Sequence, residues 1–374
     1  MKRSLLTLLT LFVLNLVSVA QLVSTILGPG QYINDGITFD DSGNLYGSDH
    51  SGYGVYKYTV EGELETLATF DNHPNGIVLD QEQSLYVAVP QGNKIYKIDP
   101  QGYVSQYCPY IPNPNGLIFE NDSDTLIVTS YAYNTLSKLA PDGNLSLWIV
   151  SDELNGPLGL CYDDQNSLYV SNFNDGKVFK VVDNNLEYFA TVPGAYLGTS
   201  YFSTGYILWF DGYIYATGFA KNIVYRIDGN GEVEEFAGSG VFGFLDGEAS
   251  EAQFKNPNGI AKKSTSNEIY VSGYESHAVR IISDETSGLH SQVNHNEHTV
   301  KCFPNPCKDK VHMDCDMPLS SFKLHDASGL LMLSGVFCES EKNHTIDLSS
   351  CPEGFYTISL KGEDGVINCR IIKL

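Results

Sequence analysis

Four segments of this chain repeat one another: His73-Pro-Asn-Gly-Ile77, Asn113-Pro-Asn-Gly-Leu117, Gly156-Pro-Leu-Gly-Leu160 and Asn256-Pro-Asn-Gly-Ile260. Each is followed about ten residues later by an apolar triplet: Leu85-Tyr86-Val87, Leu126-Ile127-Val128, Leu168-Tyr169-Val170 or Ile269-Tyr270-Val271. Self-similarity at such a period marks a repeat architecture, in which a unit buries its apolar face only against a neighbour. Aligning on the motif glycine adds Asn34-Asp35-Gly36-Ile37 at the start and a degenerate Thr204-Gly205-Tyr206-Ile207. The glycines then fall at 36, 76, 116, 159, 205 and 259, with insertions at 193–204 and 239–254.

Within a unit every segment reads as a strand. A short apolar run after the glycine leads through an acidic or Asn/Gly turn, such as Asp40-Asp41-Ser42-Gly43, to the triplet. An alternating segment follows (Lys94-Ile-Tyr-Lys-Ile98, Ile223-Val-Tyr-Arg-Ile227), then a second turn and a last strand carrying an aromatic such as Tyr107, Trp148, Phe189 or Phe236. Period-two alternation bounded by Asp, Asn, Gly and Pro is the antiparallel signal, and four strands per ~40 residues is the unit of a β-propeller blade. The sixth unit has only three strands, ending near Ile281-Ile282. The segment Leu22 to Leu27 before the first motif supplies the missing one. The fold class read from the sequence is therefore all-β: a six-bladed β-propeller over residues 21–284, closed by the N-terminal strand so that no long edge is exposed.

The flanks carry other signals. Lys2 and Arg3, the apolar stretch Leu5 to Val19 and the small residues Ser18-Val19-Ala20 read as a signal peptide over 1–20. No other segment approaches the ~18 apolar residues needed to span a bilayer. The formal net charge of −23 excludes nucleic acid and anionic membrane surfaces as partners and suits a soluble exported protein. Residues 285–300 read as a polar linker. From 301 to 374 short alternating segments suggest a small C-terminal β-sandwich of about seven strands. Six of the eight cysteines (302, 307, 315, 338, 351 and 369) lie in this tail, and an even number in a small exported domain favours disulfides, with connectivity open. No CxxC or HxxxH spacing favours zinc. Cys108 and Cys161 are expected as buried free thiols.

Two resemblances follow from these residues. The stretch Phe236 to Gly247, then Ala252 to Ile260 and Tyr270 to Ile281, resembles one NHL repeat, and residues 22–284 are similar to the NHL-repeat and gluconolactonase-like six-bladed propellers. That resemblance implies the fold; the scaffold carries lactonases, lyases and pure binding modules. The tail has Cys302-Phe-Pro-Asn-Pro306, a central Gly329 turn, Gly354-Phe-Tyr-Thr-Ile-Ser359 and a basic-apolar end. It resembles the C-terminal sorting domain of type IX secretion. This implies handling by that machinery, and a secreted or outer-membrane-surface location in a Gram-negative bacterium.

The repeat also says where chemistry can sit. The residue before each motif glycine lies at one mouth of the central channel: Asp35, Asn75, Asn115, Leu158, Thr204 and Asn258. Asp35, Asn75, Asn115 and Asn258 form a hard-oxygen set suited to Ca²⁺. Against this, Asn tolerates left-handed backbone and caps turns, so a Pro-Asn-Gly turn needs no ligand. Loops after the triplets add Asp49, His50, Asn172, Glu275 and His277, of which His50, Asn172, Glu275 and His277 are candidate ligand-binding residues. Tyr131, Tyr133, Tyr196, Tyr201, Phe202, Phe219 and Tyr274 are mouth-side aromatics that could stack on a small molecule, sugar or peptide, or simply pack loops. Gluconolactonase-like enzymes use an early Glu plus Asn and Asp at inner-strand positions. Asp35 and the asparagines match in kind, no early Glu does, and Leu158 interrupts the ring. No Gly-x-Ser-x-Gly elbow, P-loop or HExxH motif occurs. The leading reading is a propeller that binds a ligand at the channel mouth; the alternative is a divalent-metal-dependent lactonase or esterase.

Overall fold

The computed structural model describes residues 21–28, 30, 32–108, 110–121, 123–284, 300–303, 307–315, 318–326, 330–337, 343–362 and 365–373. The signal peptide expected over 1–20, and the linker expected over 285–300 save its last residue, lie outside them. The protein is all-β, with two three-residue 3₁₀ turns as its helix among the described residues.

Five sheets are four-stranded antiparallel meanders, each built from strands consecutive in the chain. Their first strands are Ile37–Phe39, Ile77–Leu79, Pro114–Phe119, Pro157–Tyr162 and Thr204–Phe210. A sixth begins with Pro257–Lys262, Ile269–Gly273 and Ala278–Asp284; Gln21–Leu27 then pairs antiparallel with Ala278–Asp284, and the short Gly247–Glu248 with Gln21–Leu27. The first strands of successive sheets touch in chain order, and that of the sixth touches Ile37–Phe39 of the first.

Period-two alternation explains the packing. Leu85 and Val87 face back to Tyr46 and Val55 of the first sheet, while Tyr86 and Ala88 face forward to Leu117 and Leu126 of the third. The same alternation makes one buried cluster between every pair of neighbours, including one in which Tyr270 and Val279 of the sixth sheet meet Ile37 and Leu45 of the first. The second strand of each sheet is thus buried on both faces, as the LYV-type triplets require.

The motif glycines have a different origin from a turn residue. A Cβ on Gly36, Gly76, Gly116 or Gly259 would strike the backbone carbonyl of Asn75, Asn115, Leu158 or Asp35, which belong to the next sheet around the cycle. Gly205 meets Asn258 in the same way. Close approach of neighbouring inner strands, not positive φ, fixes glycine here. The left-handed residues are instead Asn113, Gly156 and Asn256, with φ of 42°, 65° and 50°. Asn115 and Asn258 themselves are thus not left-handed, that position lying two residues earlier in their motifs, while the Asn115 amide still caps its turn by donating to Asn113 O at 3.2 Å. Each inner strand's register against its neighbour also shifts across the motif in the third to sixth sheets, for example between Pro257 and Ile260.

Sequence inspection missed one device. The residue at twelve or thirteen past each glycine carries a fully buried hydroxyl in five sheets of six: Ser48, Thr129, Ser171, Thr217 and Ser272, with Ala88 in the second. These hydroxyls donate across to the next inner strand, Ser48 to Asn75 O at 2.6 Å, Thr217 to Asn258 O at 2.6 Å and Ser272 to Asp35 O at 2.6 Å. Thr129 and Ser171 reach Leu158 O and Gly205 O at 3.5 and 3.4 Å.

The 239–254 insertion is held by one buried ion pair. Arg280, 1% exposed, reaches Asp246, Leu245 O and Gln253 O, and its guanidinium lies over Phe244 and Phe254. Asp246 also accepts the backbone N–H and hydroxyl of Thr25 in the N-terminal strand, both at 3.0 Å.

The tail forms a three-stranded sheet (Val300–Phe303, Lys310–Cys315, Asn343–Asp347) and a four-stranded sheet of Leu331–Val336, Leu319–Asp326, Gly354–Gly362 and Gly365–Lys373. One cluster including Val311, Leu324, Ile346, Ile358 and Ile371 fills its core. The disulfides expected here are not formed among the described cysteines. Cys302, Cys307, Cys351 and Cys369 are free and pack into this core as small apolar groups, with Cys302 and Cys369 hydrogen-bonded to each other. Cys338 lies outside the described residues. Cys108 and Cys161 are buried free thiols between blade-like sheets.

Candidate functional site

The inner-strand register delivers Asp35, Asn75, Asn115 and Asn258 to one end of the cycle, as the glycine alignment implies. Asp35 is the centre of the arrangement. Its side chain is 3% exposed, and burial raises its carboxyl from 3.8 to about 7 against the pull of nearby Tyr206, the Gly36 amide and Asn258. Asp35 Oδ1 has no hydrogen-bond partner, and neither has the buried Asn258 Oδ1.

Tyr206 is the residue the sequence reading passed over. It projects from the fifth sheet, and its hydroxyl donates to Asn75 Oδ1 of the second at 2.5 Å, crossing the channel beside Asp35. Burial and the Asp35 charge both push its phenol upward. Every other clear copy of the motif has Ile or Leu at this position, so the exception was visible in the chain.

The four expected cation ligands are therefore not four free oxygens. Asp35 and Asn258 keep a buried unpartnered oxygen and Asn75 Oδ1 accepts from Tyr206, whereas Asn115 donates through its amide nitrogen to Asn113 O and Oδ1 at 3.2 and 3.4 Å, which engages its nitrogen and not its oxygen. Among the described residues no group of three or more His, Cys, Asp or Glu is placed to hold a metal. Two buried unpartnered oxygens, one of them a carboxylate, together with Asn115 Oδ1, fit part of a Ca²⁺ shell.

Around this floor stands a collar that the repeat builds from a single position. The residue immediately after the second strand of each sheet is His50, Pro90, Tyr131, Phe173, Phe219 and Tyr274 in turn. Backbone hydrogen bonds fix several of them: Phe173 N donates to Gly156 O, Phe219 N to Ser203 O and Tyr274 N to Asn256 O, at 2.8, 2.7 and 2.9 Å. Their rings touch in series. Tyr131 meets Phe173, Phe173 meets Phe219, and Phe219 meets Tyr274, with centroids 6.1, 5.1 and 5.5 Å apart. Tyr274 lies 5.9 Å from His50, which stacks on His73 at 4.7 Å, and His73 on Tyr53 at 4.5 Å. Where the second sheet offers only Pro90, His73 of its own motif stands in.

His50 Nδ1 lies 3.8 Å from Asp35 Oδ2 and has no hydrogen-bond partner. Burial, with His73 beside it, lowers its pKa to about 4, so the ring is neutral at physiological pH. His277 Nδ1 lies 3.8 Å from Asp49 Oδ1, and Asp49 is 1% exposed and raised by burial. Of the other expected ligand residues, Asn172 is buried and donates to Glu153 O at 2.8 Å, and Glu275 is exposed. The expected aromatics Tyr131, Phe219 and Tyr274 join the collar, and Phe202 extends it beside Phe173. Tyr196 and Tyr201 sit on an outer hairpin, Ala195–Leu197 with Ser200–Phe202. Phe173, His73 and Tyr53 were missed, because aligning on the glycine alone hides a position defined by the second strand.

Chemically, a buried carboxyl that titrates near neutrality can hold a proton, accept hydrogen bonds or pair with a cation. A cavity of about 580 Å³ lies elsewhere, among Phe39, Trp209, Phe210, Asp211 and Lys262 at the far ends of the inner strands. Its four aspartates include Asp40, already hydrogen-bonded by Asn44, and Asp41, by Gln83. The collared mouth, where buried oxygens of Asp35 and Asn258 lack partners, is the stronger candidate.

Comparison with solved structures places the blade-like part among propeller proteins. An auxiliary nutrient binding protein from Bacteroides thetaiotaomicron matches with a TM-score of 0.61 at 15% identity, covering 71% of this chain and 76% of the other. A gluconolactonase from Xanthomonas campestris matches with a TM-score of 0.54 at 18% identity, covering 70% and 89%. Virginiamycin B lyase from Staphylococcus aureus matches with a TM-score of 0.51 at 15% identity, covering 70% and 98%. At these identities the likeness is one of fold alone. A search of curated proteins by sequence finds no match. Residues 301–374 match the family described as secretion system C-terminal sorting domain, which marks the chain as secreted or displayed at the cell surface. The tail of this chain thus belongs to the secretion-system sorting-domain family, carried behind a domain with the fold of the gluconolactonase-like propellers.

Proposed function

We propose that residues 21–284 form a six-bladed propeller, closed by its N-terminal strand, that binds a ligand in the collared mouth over Asp35, and that residues 301–374 deliver it through type IX secretion. One observation carries the binding reading: Asp35 Oδ1 and Asn258 Oδ1 are buried without partners beneath a series of touching aromatic rings. Buried polar atoms ordinarily find a partner, so two orphans at an open mouth call for one from a ligand. Likeness in fold to nutrient-binding proteins supports a binding role. The test is a thermal-shift screen of the full chain against small polar and aromatic molecules, repeated on Tyr274→Ala. A hit lost in the variant is expected; hits unaffected by the variant would refute the location. Lactone hydrolysis abolished by Asp35→Ala would replace binding with catalysis.

The metal-dependent lactonase or esterase remains the second reading, favoured by the same two free oxygens. Asp35, Asn258 and Asn115 would hold Ca²⁺ through their free oxygens, with Asn75 joining once Tyr206 releases it. The bound ion would supply a Lewis acid for a carbonyl oxygen. Metal analysis of the purified chain together with a Ca²⁺-induced thermal shift tests it. No bound divalent ion and no shift would end this reading.

A further inference from the structure

We propose that the ligand carries an ammonium group seated within the aromatic collar against Asp35 and Asn258; this rests on the reading of the mouth as a binding site. The first argument is the pattern of free hydrogen-bond positions on the floor. Its donors are taken: the Tyr206 hydroxyl by Asn75, the Asn115 amide by Asn113, the Thr204 hydroxyl beside Ser203 at 3.3 Å, and the Asn258 amide directed at Asp35. Leu158 offers none. With Asp35 ionised, the buried positions that stay free at the floor are acceptors, Asp35 Oδ1 and Asn258 Oδ1, with Asp35 2% and Asn258 4% exposed. A ligand that satisfies both must donate more than one hydrogen bond and need not accept any. Ammonium does this; a sugar hydroxyl array also brings acceptors for which the floor holds no free donor.

The collar points the same way. Tyr131, Phe173, Tyr274 and His50 are half-buried, so they border the mouth while touching one another. Rings around a carboxylate form the setting in which an organic cation is held by ring quadrupoles as well as by charge. His50 is neutral and does not oppose it. The chain's net charge of −23 draws cations in and repels anions. A bare divalent ion is served less well, because a single carboxylate among neutral amide oxygens supplies only part of the charge and shell it needs.

The experiment titrates the full chain at pH 8, where Asp35 is ionised, and at low ionic strength with benzylammonium, with benzyl alcohol as its uncharged counterpart, and with glucose and CaCl₂ as further probes, by calorimetry. Benzylammonium is expected to bind about tenfold more tightly than benzyl alcohol, and to weaken about tenfold in each of Asp35→Asn and Tyr274→Ala. Equal binding of the two benzyl compounds, weakened by Tyr274→Ala, would overturn the ammonium while leaving the mouth as a site. Tight glucose binding, or Ca²⁺ binding without any amine binding, would also overturn it. Absence of binding by every probe would overturn both readings.

Discussion

Replacing Asp35 by Asn should stabilise this protein, and should do so only where the pH is high enough. The carboxyl is raised from 3.8 to about 7 by burial, with its side chain 3% exposed, so little solvent screening discounts the effect. At about 1.4 kcal/mol per pKa unit, a shift of about three units corresponds to about 4 kcal/mol. The sign follows from proton binding. Below pH 3.8 folded and unfolded chains both hold the proton and nothing is lost. Between 3.8 and 7 the unfolded chain ionises while the folded one keeps its proton, so stability falls as pH rises, and the loss is complete above 7. Asn keeps the acceptor oxygen facing Tyr206 and Asn258 but cannot ionise. Thermal unfolding from pH 4 to 8, in chelator, should show the two proteins alike at the acid end. The variant should melt on the order of 8 °C higher at the alkaline end. A difference that does not grow with pH, or a variant less stable at pH 8, would refute the account of Asp35 as a strained carboxyl retained for what it binds.

Tyr206→Phe removes a hydroxyl that lowers the Asp35 pKa and leaves Asn75 Oδ1 unpaired. The midpoint of that pH profile should move upward, and stability should fall by about 1–3 kcal/mol in denaturant melts at pH 5. Gly116→Ala drives a Cβ into the Leu158 carbonyl of the neighbouring inner strand, whereas Gly102, at φ 86°, has nothing within 4 Å. The first should cost about 3 kcal/mol or more by loss of inter-strand packing and the second only about 1, read as melting temperatures side by side. Arg280→Met strips Asp246 of its buried partner and should cost about 3–5 kcal/mol, opening 239–254 to limited proteolysis. Adding Asp246→Leu should recover much of that loss.

How far the chain can be read is best judged at single positions. The motif glycines were found because their cause, one inner strand against the next, recurs at every junction and tolerates no side chain. The triplets were found because both faces of each strand are buried and period two leaves no other arrangement. Ser48, Thr129, Ser171, Thr217 and Ser272 sit one or two residues beyond, in plain view, but a buried hydroxyl between strands is indistinguishable by composition from a solvated one. Cys302 and Cys369 show the same limit, since sulfur content and compartment favour a bridge while the described structure pairs them only as thiols. At the mouth, charge type and position were legible for Asp35, and its burial was not. His73 was quoted as part of the motif and read only as a variant of Asn.

A closed repeat, as proposed for residues 21–284, makes a general argument possible about where function sits. Whatever holds the cycle together must be present at nearly every junction, so regularity itself is the mark of a structural role: glycine at all six, a hydroxyl at five. A ligand occupies the axis once and sees six different side chains, so the site must be made of exceptions. The exceptions converge. Asp35 replaces the motif Asn in the first unit, and Tyr206 replaces Ile or Leu in the fifth; Pro90 breaks the collar in the second, and His73 departs from Asn there too. These side chains come from three sheets, yet Tyr206 reaches Asn75 and Asp35, and His73 fills the collar's gap against His50. Their meeting at one buried carboxyl is the reason to look there for what this protein binds.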